Sequence, residues 1–166
     1  MVLLGTTGQL FAIEPAPPWK GDAELGIVST SGNTKNTSIK ARANVVHEQD
    51  QWRHTAKFDA LNTSNATTTT SERYALSGKS DYKFDERSFL FGLVGYENDR
   101  FAGFNSRINE VLGYGYRAIN QDNLILDIEV GPGARQTQLR NITSKKEFMG
   151  YLGGKLLWKF SPSASL

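Results

Sequence analysis

From Ser38 to Leu61 the chain reads SIKARANVVHEQDQWRHTAKFDAL, and its residues alternate in character on both sides of a short polar break. Ile39, Ala41, Ala43 and Val45, then Trp52, His54, Ala56, Phe58 and Ala60, make one set. Lys40, Arg42 and Asn44, then Arg53, Thr55, Lys57 and Asp59, make the other. A period of two belongs to a strand, whose successive side chains leave opposite faces, and it does not fit the period of about 3.6 of a helix. Two such runs around Glu48-Gln49-Asp50-Gln51 predict an antiparallel hairpin with one apolar and one polar face. With Gln49 and Asp50 as the central turn residues, Val45 lies opposite His54, Ala41 opposite Phe58 and Lys40 opposite Asp59. That register sets like against like and an acid against a base. Each arm has about eleven residues, the length at which a tilted strand crosses a bilayer.

The same reading continues along the chain. A strand over 22–30 carries Ala23, Leu25 and Ile27 on one face and precedes a turn cluster, Ser31 to Asn36, rich in glycine and asparagine. After the hairpin, 62–71 reads as a polar loop. The strand Glu72 to Phe84 sets Tyr74, Leu76, Tyr82 and Phe84 against Arg73, Lys79 and Asp81. Beyond the short Asp85-Glu86-Arg87 turn, Ser88 to Glu97 is apolar on both faces, so alternation does not orient it. A loop over 98–106 leads to Arg107–Arg117, where Ile108, Leu112, Tyr114 and Tyr116 oppose Arg107, Asn109, Gly113 and Gly115. Glu110 breaks that alternation. A tight turn at Asn120-Gln121 precedes Leu124, Leu126, Ile128 and Val130, which alternate with Asp127 and Glu129. A loop over 131–146 and a strand from Glu147 to Phe160, with Phe148, Leu152, Leu156, Trp158 and Phe160 on one face, complete an all-β, up-and-down antiparallel meander of eight strands.

The 166 residues suit one domain, and the net charge of +2 comes from scattered basic residues, without the basic patch that a nucleic-acid partner requires. Cysteine is absent, which removes disulfides and thiolate metal sites, and no apolar run reaches the roughly 20 residues of a membrane helix. A transmembrane barrel has no such run, because its apolar residues alternate with polar ones. Residues 1–18 are expected to be a signal remnant or a disordered leader, and 19–166 an outer-membrane β-barrel domain, C-terminally incomplete. Two asymmetries favour lipid outside the barrel. Tight turns at 49–50, 85–86 and 120–121 alternate with the longer loops at 62–71, 98–106 and 131–146, as periplasmic turns alternate with extracellular loops. Trp52, Tyr82, Phe84, Phe89, Tyr114, Tyr116, Trp158 and Phe160 gather beside the short turns, as an interfacial aromatic girdle does.

In that arrangement Lys40, Arg42, Lys57, Asp59, Lys79, Asp81, Arg107, Asp127 and Glu129 face the lumen and neutralise one another as ion pairs. The inverse arrangement, a soluble lipocalin-like barrel binding a small apolar ligand with its charges in water, fits the alternation equally well but not the two asymmetries. Enzymatic chemistry is not expected. His47 and His54 are the imidazoles available, both on the apolar set, and no serine, carboxylate or second histidine is spaced to complete a triad or a metal site. No cofactor is expected. The expected partners are the lipid bilayer and small solutes or ions, with interior charges more often structural plugs than filters.

The run Trp19-Lys20-Gly21-Asp22-Ala23-Glu24-Leu25-Gly26, followed by Ser31-Gly32-Asn33-Thr34, resembles the opening of the bacterial salt-induced outer membrane proteins, whose domain is one of unknown function. Gln51-Trp52-Arg53, Asn98-Asp99-Arg100-Phe101, Gly113-Tyr114-Gly115-Tyr116 and Glu129-Val130-Gly131-Pro132-Gly133 are similar to later landmarks of that family. The resemblance covers 19–160 and implies an outer-membrane β-barrel of a Gram-negative bacterium, associated with envelope or osmotic stress. A narrow, porin-like channel is a further expectation, and no catalytic residues carry over.

Overall fold

The structure, a computed structural model, describes residues 18–31, 35–65, 68–140, 144–161 and 164–165, with side chains described as far as Trp158. Residues 1–17 of the stretch 1–18 expected as a signal remnant or leader, and Gly32-Asn33-Thr34 of the expected first turn, lie outside the described residues. Eight long strands follow one another: β1 (Trp19–Thr30), β2 (Asn36–Glu48), β3 (Trp52–Asn65), β4 (Thr68–Lys83), β5 (Ser88–Asp99), β6 (Phe104–Asn120), β7 (Leu124–Leu139) and β8 (Ser144–Ser161). A two-residue β9 (Ala164–Ser165) pairs back onto β8. Spatial order equals sequence order, and no ladder joins β1 to β8 among the described residues, so the sheet is open. No helix among the described residues is long and apolar enough to cross a membrane.

The β2–β3 hairpin keeps its expected faces in a different register. Gln49 donates its amide to the Trp52 carbonyl (2.8 Å), so Asp50 and Gln51 are the central turn residues. Val45 lies opposite Ala56, Ala41 opposite Ala60 and Arg42 opposite Asp59, a shift of two residues from the expected pairing. A shift of two leaves every side chain on its own face. The observed register also opposes Glu48 to Arg53, a second acid–base pair that the alternative forgoes. The β6–β7 turn likewise centres on Asp122 and Asn123, with Gln121 and Leu124 exchanging backbone hydrogen bonds of 2.9 and 3.2 Å.

The stretches expected as long loops are largely strand. β3 and β4 are separated by residues 66–67, β5 and β6 by 100–103, and β7 and β8 by 140–143. These connections are no longer than those at 49–51, 84–87 and 121–123, so the expected asymmetry of loop lengths is absent. The cause is that Thr68–Ser71 and Gln136–Gln138 satisfy their backbone groups in the ladders while both of their faces remain polar. Hydrophobic alternation, which ended the strands on paper, does not end them in the fold.

The sheet curls strongly. Lys79 on β4 forms an ion pair with Glu129 on β7, and the Phe91 ring on β5 lies 5.6 Å from Tyr151 on β8. Strands three steps apart in a flat sheet stand about 14 Å apart, too far for such ring contact. On the concave face Phe89, Phe91 and Val111 are buried, with Leu93, Met149 and Tyr151 packed against them. This orients β5, and it removes Phe89 from the aromatic girdle in which the sequence placed it. Phe89 and Phe91 lie opposite Gly115 and Gly113 of β6. A Cβ at Gly115 would overlap the Phe89 ring, and one at Gly113 would lie 2.5 Å from Phe91 Cζ and 2.6 Å from the Val130 carbonyl oxygen. Glycine there lets the rings lie flat on the inner sheet surface.

Candidate functional site

The two faces of the sheet are chemical opposites. Along β7, Asp127 and Glu129 are buried while Ile128 and Val130 are exposed, and the ladders carry this parity to the other strands. All nine residues proposed as interior charges fall on the concave set: Lys40, Arg42, Lys57, Asp59, Lys79, Asp81, Arg107, Asp127 and Glu129. Lys20, Asp22, Glu24, Glu48, Arg53, Arg73, Lys83, Glu97, Asp99, Arg117, Arg135, Lys145, Glu147 and Lys155 join them by register. Among the described strand side chains, the charges on the convex face are Glu72, Glu110 and Lys146. The lipocalin-like arrangement is therefore reversed in this chain.

At the centre of the concave face Asp81, 1% exposed, accepts a 2.6 Å hydrogen bond from Arg53 Nε. Lys79 Nζ lies 3.0 Å from the other oxygen of Asp81 and also binds Glu129. The Tyr151 hydroxyl donates to Glu129 Oε2 at 3.3 Å. Both cations lean on the buried rings: the Arg53 guanidinium is 5.4 Å from the Phe89 centroid and Lys79 Nζ is 4.8 Å from that of Phe91. Arg117 grips Asp127 with Nε and Nη2 at 2.8 and 3.3 Å. These contacts offset the cost of removing the carboxylates from water. Towards the far end Arg42 pairs with Asp59 at 2.9 Å, Arg73 with Glu97 at 2.8 Å, and Arg107 approaches Glu97 at 3.9 Å. Lys40 and Lys57 form no ion pair among the described residues. Arg53, Arg117 and Tyr151 are the partners that sequence reading missed. Arg53 stood in the polar set of the hairpin, but only the ladder Arg53–Asp81 reveals its acid.

The convex face is apolar. Leu25 is 71% exposed, Leu112 72% and Leu152 80%, with Ile39, Phe58, Leu76, Leu90, Val94, Ile128 and Val130 also exposed. Near the short turns its aromatic rings form a chain across four strands: Trp19 on His47 (4.2 Å), His47 towards His54 (6.3 Å), His54 on Trp52 (5.7 Å), Trp52 on Tyr82 (5.0 Å) and Tyr82 on Phe84 (5.3 Å). Tyr114, Tyr116 and Trp158 share this face, and the Tyr114 hydroxyl reaches Ser88 Oγ at 3.0 Å. The side chain of Phe160 lies outside the described residues. The ladder brings Ser80 Oγ to 2.9 Å from His54 Nδ1, a contact invisible in the sequence. No carboxylate touches that imidazole among the described residues, so the pair lacks the orienting acid of a triad. No group of three or more metal-ligating side chains occurs among the described residues.

In the turn between β4 and β5, Asp85 Oδ1 accepts the Arg87 and Ser88 amides at 2.7 Å each. These bonds hold its carboxyl below the usual carboxylate range.

The family described as "Protein of unknown function, DUF481" matches residues 23–166. The chain is similar to an uncharacterized protein of Escherichia coli K12, YdiY, with 29% identity over 151 residues, 89% of this chain. It spans 58% of that relative's length. No solved structure matches.

Proposed function

The chain belongs to the DUF481 family, whose function is not established, and from the chemistry of its two faces we propose that it forms part of a β-barrel in the outer membrane of a Gram-negative bacterium. The observation that carries this reading is the reversal of polarity: ion pairs lie on the concave side, and large apolar side chains stand exposed on the convex side. In water such an exterior is an aggregation surface, whereas in hydrocarbon it is solvated. On β7 the convex residues from Leu126 to Ala134 are uncharged, and Gln136 and Gln138 follow. The apolar stretch from Leu124 to Ala134 is about 36 Å long and spans about 25 Å of bilayer at a tilt of about 45°. Trp19, Trp52 and Tyr82 then anchor one interface, and the polar strand ends beyond Gln136 extend past the other.

The concave face, with Lys40 and Lys57 outside the ion pairs, supports a narrow, porin-like passage for small ions or solutes. An envelope or osmotic-stress role follows from the resemblance to salt-induced outer membrane proteins. The test is the full-length protein expressed in a Gram-negative host. It should fractionate with the outer membrane, require detergent for extraction and migrate differently on a gel before and after boiling. Recovery in the soluble fraction without detergent would end the reading, and planar-bilayer recordings in salt would test the passage.

A further inference from the structure

The curl of the sheet brings β3 and β8 to one cavity. Lys57 on β3 and Lys155 on β8 both line it, on the concave side, around a volume of about 400 Å³. Strands five steps apart in a flat sheet stand about 24 Å apart, too far for two lysines to share one such space. The walls carry four cations and two acids: Arg53, Lys57, Lys79 and Lys155 against Asp81 and Glu129. The excess is two positive charges, and the contacts locate it. Arg53 binds Asp81 at 2.6 Å, and Lys79 bridges Asp81 and Glu129, so these four groups neutralise one another. Lys57 and Lys155 form no ion pair or hydrogen bond among the described residues. The acids beside them are engaged elsewhere. Asp127, opposite Lys155 in the ladder, is gripped by Nε and Nη2 of Arg117. Asp59, two residues along from Lys57, pairs with Arg42, and Asp22, two strands away in the same row, accepts the Asn44 amide at 3.0 Å. Ser77 stands opposite Lys57, and Thr55 precedes it by two residues on the same face. Both hydroxyls line the cavity and make no hydrogen bond among the described residues. Two ammonium groups facing one space repel each other, and an anion between them reverses the sign of that interaction.

We propose that this cavity binds a small dianion, its anionic oxygens held between the ammonium groups of Lys57 and Lys155 and by the hydroxyls of Thr55 and Ser77. Rings of lysine and arginine select anions and phosphate in pores by the same chemistry. The inference rests on the reading of the concave face as the lumen of a barrel, and it gives the passage a class of solute: small oxyanions, with cations disfavoured.

The test uses the full-length protein refolded into phosphatidylcholine vesicles, with inorganic phosphate as the probe at a mildly alkaline pH, where it is a dianion. Calorimetric titration should show saturable binding, weakened about tenfold by Lys57→Gln and about tenfold by Lys155→Gln, since each removes one hydrogen bond from a charged donor. Lys57→Arg and Lys155→Arg should retain binding, and they keep the comparison open if a glutamine variant does not fold. Lys40→Gln, a concave lysine outside this cavity, should leave binding unchanged. In planar bilayers under a potassium chloride gradient, the reversal potential should report a preference for chloride that moves towards potassium in Lys57→Glu with Lys155→Glu. A protein that shifts on boiling and stays in the vesicles, but binds no phosphate, overturns the site and leaves the membrane reading intact. Binding that survives Lys57→Gln with Lys155→Gln overturns it as well. Phosphate binding without conductance keeps the site and removes the passage. Loss of the boiling shift and of vesicle association defeats the membrane reading and the inference with it.

Discussion

Val130 stands in the middle of the convex run of β7, between Tyr114 and Leu152 on its neighbours, and is 56% exposed. Replacing it with arginine separates the two possible surroundings. If water bathes this face, the substitution touches no packed neighbour and changes stability by no more than about 0.5 kcal/mol, as exposed surface substitutions do. If hydrocarbon bathes it, the guanidinium must be carried to membrane depth, which costs about 2–4 kcal/mol on the lipid face of a barrel. That cost is a factor of roughly 30 to 700 in the folding equilibrium. The control is Gln138→Arg on the same face of the same strand, past the apolar band, opposite Ser106 and Ser144. It should stay within about 0.5 kcal/mol. The assay is reversible denaturant unfolding of the full-length protein in vesicles, followed by tryptophan emission, since Trp19, Trp52 and Trp158 all lie on the convex face. Equal stabilities for Val130→Arg and Gln138→Arg would refute the assignment of lipid to this face.

Gly115→Val should lower stability by about 1–3 kcal/mol in the same titration, because the new side chain meets the Phe89 ring; pairing it with Phe89→Leu should recover part of the loss. Asp81→Ala leaves Arg53 and Lys79 facing each other without their shared acid and should cost about 3–5 kcal/mol. Lys57→Ala, on the same face and with no ion pair among the described residues, should change stability by less than about 1 kcal/mol and serves as its comparison. The hydrogen bonds to Asp85 lower its folded pKa, so its contribution is complete above the unfolded carboxylate value and fades as pH falls through the lower folded one. Stability of Asp85→Asn measured across that acidic window should therefore fall less steeply than that of the unmodified protein. Parallel curves would remove Asp85 from the account.

The alternation in 38–61 was enough to assign faces, because a strand side chain has two directions and the charged residues of β2 and β3 all fall in one set there, Val46 and Leu61 being the apolar residues that join them. Register was not legible: shifting the hairpin by two residues preserves every face, and the observed one sets Arg42 opposite Asp59 and Glu48 opposite Arg53 where the expected one sets Arg42 opposite Lys57. The strand ends were missed for a related reason. Thr68–Ser71 buries nothing, so its extended form is imposed by the ladder to β3, which only the three-dimensional pairing displays. The orientation of Phe89 depended on Gly115, a residue 26 positions away whose missing side chain makes the room. The interior acids were visible as residue types, whereas the pairing of Arg53 with Asp81 and of Arg117 with Asp127 required the strand registers, and that of Lys79 with Glu129 the curl of the sheet.

Because each strand is flanked only by its neighbours in the chain, the sheet is able to grow at one edge, one hairpin after another, without an earlier edge being reopened. Every addition closes a short segment, which keeps the entropy lost per step small. The bond between Lys79 and Glu129, 50 positions apart, is made only when the seventh strand arrives. It thereby reports on the curvature of everything laid down between them. A chain that mispaired any intervening strand would carry an unmatched ammonium and carboxylate inward, a defect that quality control could read before assembly is finished.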